Sequence, residues 1–386
     1  MDSPFKVNGV GVPHVVEFSE GRFSIKVDEH PPLPLSSGLA MDDAFEGKGF
    51  ATHFLYSPGI SESGSQMVFH KPTGRRIGWI IPVSALDSDL HTHKDNPHFL
   101  KYAYIAAKAC LQANWDGVKF NSVEMGSAQS MLIADIFPEF TAVLVISLET
   151  IQGDVEFEID RAVPSMMVNG YIPLGAEVSE LYGWEFDRAQ KVMLCLSPAA
   201  PDEHGMVKVL LYAFARARNE PLLQFFFLYQ IVEILLERVM QNEYSFIASR
   251  ILEAGQDSSR LKLAIDGVGK SVSEGERLKM LNSRYVKKAV DTKVFDRLCV
   301  DFLRVIGRWD DNRNKPESGL NNCMYQVRNA IFHGFRNIPE AGSGHLKGIV
   351  KEMLVVIVDI LCEYTLPTDE AADQVNRDAV VVSGVR

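Results

Sequence analysis

Residues 222–240 are apolar almost all the way round the helix they predict. A helix with so narrow a polar side has no stable place lying on a protein surface. It must be the central member of a bundle or lie against a second copy of itself. Glu233 and Glu237 share the one polar side it has. The rest of the chain therefore has to supply apolar partners for this segment.

Those partners are written on both sides of it. Val207–Arg218 reads as a helix, broken at Asn219-Glu220-Pro221. Tyr244–Leu252, Arg260–Ile265 and Glu274–Leu281 read as shorter helices joined by Gly/Ser segments. Asp291–Gly307 is a long amphipathic helix, with Phe295, Leu298, Phe302, Val305 and Ile306 inward. Gly342–Gly344 reads as a flexible turn, and Leu346–Tyr364 closes the bundle. After Pro367 the tail is expected to be poorly ordered.

Upstream the period changes from helical to alternating. Val15–Phe18 and Arg22–Val27 flank Glu20-Gly21 as a hairpin. Pro31–Ser37 reads as a loop. Phe50–Tyr56, Gln66–His70 and Arg75–Val83 read as strands, with Pro72-Thr73-Gly74 as a turn. Pro97 opens a helix over Phe99–Trp115. Thr141–Leu148 is apolar enough for the centre of a sheet, and Val155–Asp160 alternates as a strand. Lys191–Leu196 is a last short strand. Ser197-Pro198-Ala199-Ala200-Pro201 marks the boundary. The expected fold class is α+β, with a mostly-strand α+β domain over residues 1–200 and a helical bundle over residues 201–386.

Charge follows the same division. The net charge of −11 lies entirely in the first half: residues 1–200 hold 14 Lys and Arg against 25 Asp and Glu, whereas residues 201–386 hold 25 of each. An acidic first half disfavours general nucleic-acid binding there and suits a sensing or adaptor domain. The neutral second half can carry a local basic patch, with Arg304, Arg308, Arg313, Lys315, Arg328 and Arg336 as candidates. Five widely spaced cysteines without a CxxC pair argue against a disulfide framework and a zinc ribbon. Met1-Asp2-Ser3-Pro4 lacks the basic and apolar regions of a signal peptide, and no apolar run approaches a membrane span. The expected location is the cytoplasm. His91 and His93, with His98 nearby, resemble metal ligands, but nothing nearby supplies the remaining ones; the pair Asp310-Asp311 reads as part of a solvated charged loop, and no metal or cofactor is expected.

The chemistry concentrates in Tyr325-Gln326-Val327-Arg328-Asn329-Ala330-Ile331-Phe332-His333-Gly334. Leu320–Phe332 reads as a helix, with Gly334 just past its end in the left-handed position. At about 100° per residue, Leu320, Met324, Val327 and Ile331 form a core stripe. Gln326, Asn329 and His333 lie roughly opposite. Arg328 lies between the faces, and Tyr325 and Phe332 make a second apolar flank. Arginine offers a planar donor fork for phosphate. Histidine takes up and returns a proton near neutral pH. Asparagine can orient either one or hold a ribose hydroxyl. With a ribose 2′-OH as nucleophile, these groups suffice for RNA cleavage. Glu233 is expected to pair with Arg328 and fix its orientation.

Arg328-Asn329-x-x-x-His333 resembles the Arg-x4–6-His motif of the HEPN superfamily. Glu220-Pro221-Leu222-Leu223-Gln224-Phe225-Phe226-Phe227-Leu228-Tyr229-Gln230-Ile231-Val232-Glu233 looks like the first bundle helix of the ApeA-like HEPN branch of bacterial anti-phage proteins. The resemblance covers Val207 to Tyr364. It implies a metal-independent endoribonuclease, in anti-phage or stress defence, whose two copies line one cleft in a homodimer. It casts Arg328, Asn329 and His333 as catalytic, with Glu233 and Tyr325 in support, RNA as substrate, and a trigger bound by residues 1–200. Activity would then depend on that trigger. The alternative is a non-catalytic HEPN interaction or dimerisation module acting as a sensor or adaptor. A third possibility, a partner of a nucleotidyltransferase, would need that enzyme as a separate chain.

Overall fold

The computed structural model describes residues 3–27, 30–42, 49–57, 64–112, 120–125, 130–151, 157–173, 191–197, 201–217, 219–309, 320–334 and 340–367. It is an α+β chain, strand-rich in its first half and helical in its second. The chain divides into two compact units, Met1–Leu196 and Ser197–Arg386.

The first unit runs β1 Phe5–Val7, β2 Val10–Gly11, β3 Val15–Ser19, β4 Arg22–Lys26, β5 Leu33–Ser36, β6 Phe50–Tyr56, β7 Gln66–His70, β8 Arg76–Pro82, α1 Val83–Asp87 and α2 Pro97–Gln112. It continues through β9 Val123–Glu124, β10 Met131–Leu132, β11 Thr141–Ser147, α3 Ile159–Val168, β12 Ile172–Pro173 and β13 Lys191–Leu194. Among the described residues these strands form sheets in the orders β2-β1-β9, β10-β5-β4-β3 and β12-β6-β11-β8-β7-β13. The β3–β4 turn falls on Glu20 (φ 52°) and Gly21 (φ 76°). Both left-handed residues match the strand twist, as a two-residue hairpin requires. β11 is buried at every position and antiparallel to both neighbours, so its apolar run satisfies two faces at once. The core joins Trp79, Ile81, Val143 and Val145 of the six-stranded sheet to Phe23, Ile25, Leu33 and Leu35 of the four-stranded one. α2 belongs to the same core, and its small residues Ala103, Ala106 and Ala107 are wholly buried.

Two strand assignments change. Leu33–Ser36, expected as a loop, is a strand whose Leu33 and Leu35 are buried and whose Pro34 and Ser36 are exposed. Its prolines hid a period-2 pattern. Val155–Asp160, expected as a strand, falls partly outside the described residues, and Ile159 and Asp160 open α3. Ala162, Val163, Met166 and Met167 give that helix a buried face, which outweighs the internal Pro164.

The second unit is helical among its described residues: α4 Pro201–Arg216, α5 Pro221–Ala254, α6 Ser258–Val272, α7 Glu274–Arg284, α8 Lys293–Val305, α9 Leu320–Gly334 and α10 Glu340–Glu363. α5 is 34 residues long, about 51 Å at 1.5 Å per residue. Tyr244–Leu252 is therefore its continuation, not a separate helix. α5 packs against α4, α6, α7 and α10, while α9 packs against α8 and α7. Gly342–Gly344 lies inside α10 rather than in a turn. Far along α5, Glu243 accepts hydrogen bonds from Arg284 Nη1 at 2.8 Å and from the Tyr285 hydroxyl at 2.9 Å. That buried charge is paired, as its cost requires. Among the described residues no helix is long and apolar enough to cross a membrane. The expected disordered tail lies outside them.

Two ionisable groups, half-buried Asp87 and buried His91, set opposite pH responses in the first unit. Asp87 accepts from the backbone N–H groups of Ile133 and Ala134 at 3.1 and 2.8 Å, and burial raises its pKa to about 6. It takes up its proton more readily folded than unfolded, so it adds stability as pH falls. His91 is 2% exposed and stacks on Phe99 at 4.5 Å. The His93 N–H donates to its Nδ1 at 3.0 Å, leaving Nε2–H to donate to Ser65 Oγ at 2.7 Å. Burial, then the neighbouring His93, lowers its pKa to about 4. The stability held by neutral His91 is full above its unfolded value of about 6.5 and is lost as pH falls toward 4. In urea unfolding, wild type should lose about 2 kcal/mol more than His91→Gln between neutral pH and about 4.5. Asp87 is common to both and cancels. Equal losses would show that His91 titrates normally.

A close approach gives a second test. A Cβ at Gly78 would lie 2.1 Å from the Val145 carbonyl oxygen and 2.9 Å from Ile146 Cδ1. Gly78→Ala should therefore lower stability by at least about 2 kcal/mol. A variant as stable as wild type would show that β8 and β11 are not in the described register.

Candidate functional site

α9 buries Cys323, Met324, Val327, Ala330 and Ile331, which form the stripe facing α7 and α8. Tyr325, Gln326, Arg328 and Asn329 are half-buried, and Phe332 and His333 are exposed. Gly334 is the last helical residue, not a left-handed residue beyond it. Its lack of a side chain serves a different end. A Cβ there would sit 2.8 Å from Arg308 Nη2, so glycine is what lets that guanidinium approach the helix.

Arg328 is held on several sides. Its Nη1 donates to Asn329 Oδ1 at 3.0 Å. Its Nη2 lies 4.0 Å from Glu233 Oε1, and Gln230 Nε2 in turn donates to the other Glu233 oxygen. The guanidinium carbon lies 4.9 Å from the centre of the Phe332 ring and 5.8 Å from that of Tyr229. Each face provides cation–π attraction. Arg328 Nε is buried and makes no hydrogen bond among the described residues. A buried donor left idle costs about 1–3 kcal/mol, so this group is held ready at some expense.

Tyr229 is the position that sequence reasoning missed, and Phe332, read only as an apolar flank, lies against the Arg328 guanidinium. The Tyr229 hydroxyl donates to Glu274, and its pKa is raised, first by burial and then by that carboxylate. It remains a neutral phenol and presents its ring to Arg328. The available signals were the aromatic run at 225–229 and the i,i+4 spacing of Arg328 and Phe332. Tyr325, named in support, joins no hydrogen bond or ring contact of this group among the described residues. His333 sits one turn beyond Asn329, exposed and with no hydrogen bond of its own among them.

Beside Arg328 runs an apolar groove of about 490 Å³, lined by Glu220, Leu222, Leu223, Phe226, Ile331 and Phe332. Phe226 and Phe332 lie 6.0 Å apart, centre to centre. In the first unit a cleft of about 630 Å³ is lined by Ser84, Asn121, Asp135, Glu139 and Phe140. Phe140 has a φ of 67°, an unfavourable value for a bulky residue.

The other sequence candidates are not gathered into a site. His91 and His93 pack with Trp79 and Phe99 inside the first unit, and exposed His98 stacks on Tyr102. Asp310 and Asp311 lie outside the described residues, as do Arg313, Lys315 and Arg336. Among the described residues no group of three or more His, Cys, Asp or Glu is placed to hold a metal ion. Arg304 pairs with Asp301 at 3.2 Å. Cys110, Cys299 and Cys323 are buried thiols whose pKa values burial raises.

No protein-family model, curated protein or solved structure matches this chain significantly. At 4.0 Å, with the Glu233 side chain 41% exposed, the pair with Arg328 should contribute under about 1 kcal/mol. Glu233→Ala should thus shift the unfolding free energy by less than that. A larger loss in denaturant titration would make Glu233 a structural residue rather than an orienting one.

Proposed function

We propose that the second unit is a HEPN-type, metal-independent endoribonuclease that cleaves RNA through the ribose 2′-OH, in anti-phage or related stress defence. The observation that carries this reading is Arg328, a guanidinium steadied by Asn329, Glu233 and two aromatic rings, five residues before the exposed His333 on the same helix.

In this reading Arg328 binds the non-bridging oxygens of the scissile phosphate and offsets the charge that builds on them. His333 takes the proton from the 2′-OH, whose oxygen attacks phosphorus. The bond to the 5′ oxygen breaks, and that oxygen receives a proton from an imidazolium. The products are a 2′,3′-cyclic phosphate and a 5′-OH. Asn329 positions Arg328 through its Oδ1, and Glu233 orients the guanidinium from α5. The protein acts as a homodimer in the cytoplasm. Residues 1–200 bind the trigger, for which the cleft at Phe140 offers room.

The apolar groove supports the second reading, a non-catalytic interaction or dimerisation module. One experiment separates them: cleavage of single-stranded RNA by the purified chain in EDTA, with oligomeric state measured in parallel. His333→Ala should lower cleavage at least about 100-fold while leaving the oligomer intact. Glu233→Ala should reduce cleavage with the fold unchanged. Equal, measurable cleavage by wild type and His333→Ala would remove the motif from the chemistry. Loss of the oligomer or fold in His333→Ala would favour the interaction module.

A further inference from the structure

α8 ends in a way that aims one side chain. Gly307 is left-handed, with φ 69°. Its N–H donates to the Arg304 carbonyl at 3.0 Å, and the Arg308 N–H donates to the Leu303 carbonyl at 2.8 Å. This double closure is a Schellman cap, and it fixes the backbone of Arg308. The side chain then crosses to α9, where its Nη2 lies over Gly334. Arg308 is exposed and has no carboxylate partner among the described residues, whereas Arg304 one turn earlier has Asp301.

On α9, at about 100° per residue, Arg328, Asn329, His333 and Gly334 fall at roughly 0°, 100°, 140° and 240° around the axis. His333 therefore lies between two guanidinium groups, Arg328 on one side and Arg308 against Gly334 on the other. A guanidinium with its backbone fixed and no carboxylate partner among the described residues is suited to a phosphate. We propose that Arg308 is a second RNA-phosphate-binding residue, holding a phosphate next to the scissile one so that the strand crosses His333. This rests on the ribonuclease reading. The competing role is a purely structural one, in which Arg308 caps the last carbonyls of α9.

The test uses the full chain and a non-cleavable single-stranded 2′-O-methyl RNA, with affinity read by fluorescence anisotropy across a salt series. Each phosphate contact on a single strand contributes about 0.7 to the slope of log affinity against log salt. Arg308→Ala should reduce the slope by about that amount and weaken binding severalfold, and Arg308→Lys should restore most of the slope. Gly334→Ala, which keeps the charge but displaces the guanidinium, should weaken binding by less than Arg308→Ala does. The inference is overturned if Arg308→Ala binds like wild type while Arg328→Ala does not, an outcome that leaves the ribonuclease reading standing. It is equally overturned if Arg308→Ala only lowers the melting temperature, which would make Arg308 a helix cap. Absence of RNA binding by wild type at every salt concentration would remove the ribonuclease reading itself, and Arg308 with it.

Discussion

Everything in the second unit depends on covering α5. Phe225, Leu228, Tyr229, Ile231, Val232 and Val239 are completely buried, and Leu235 and Leu236 nearly so. No single neighbour can cover a helix that is apolar all round, so α4, α6, α7 and α10 pack about it. That enclosure fixes the rotation of α5, and the rotation decides where its few polar groups emerge. Glu233 comes out where α9 passes, and there Arg328 meets it and the face of the buried Tyr229 ring. The candidate site is thus a by-product of core packing: its second helix is placed by hydrophobic burial, not by the weak ion pair that links the two.

The weakness of that pair is informative. A short, two-oxygen contact between Glu233 and Arg328 would neutralise the guanidinium and compete with a phosphate for it. At 4.0 Å the carboxylate orients the cation without occupying its donors. The rings of Tyr229 and Phe332 restrict it further but use none of its N–H groups. Nε, buried and idle, remains in want of an acceptor. For a structural arginine this is a poor arrangement. For one that receives an anionic ligand it is a serviceable one.

Much of this was legible in sequence where a single period dominated. The β3–β4 hairpin, the edges of β6 and β7, the central place of β11 and the buried stripe of α9 all follow from local pattern. The misreadings share a cause: a local signal was overruled by tertiary contact. Pro34 suggested a loop, yet its flanking leucines needed burial and formed β5. Gly342 and Gly344 suggested a turn, yet the apolar face beyond them drew the segment into α10. Tyr244 looked like a new start, but α5 simply continued. Gly334 was read for its backbone freedom, whereas its use is the space it leaves for Arg308. Such a role depends on a residue 26 positions away, and no window of sequence contains it. Tyr229 escaped notice for the same reason, since its partner Arg328 is about a hundred residues downstream.

Proton bookkeeping constrains the assembly. Transesterification of RNA requires one proton to leave the 2′-OH and another to reach the 5′ oxygen. Among the described residues α9 offers one exposed imidazole, and the neighbouring Tyr229 is held as a neutral phenol. If both transfers are concerted, a second acid must come from elsewhere. Next to Arg328, the exposed rings of Phe226 (39%) and Phe332 (43%), with Leu223 (38%), border the apolar groove. On the ribonuclease reading, a second copy of α9 laid over that groove answers two needs together. It removes apolar surface from water, and it brings a second His333 to the strand. Dimerisation would then be a condition of the chemistry itself, with the burial of Phe226 and Phe332 supplying the free energy that assembles the acid with the base.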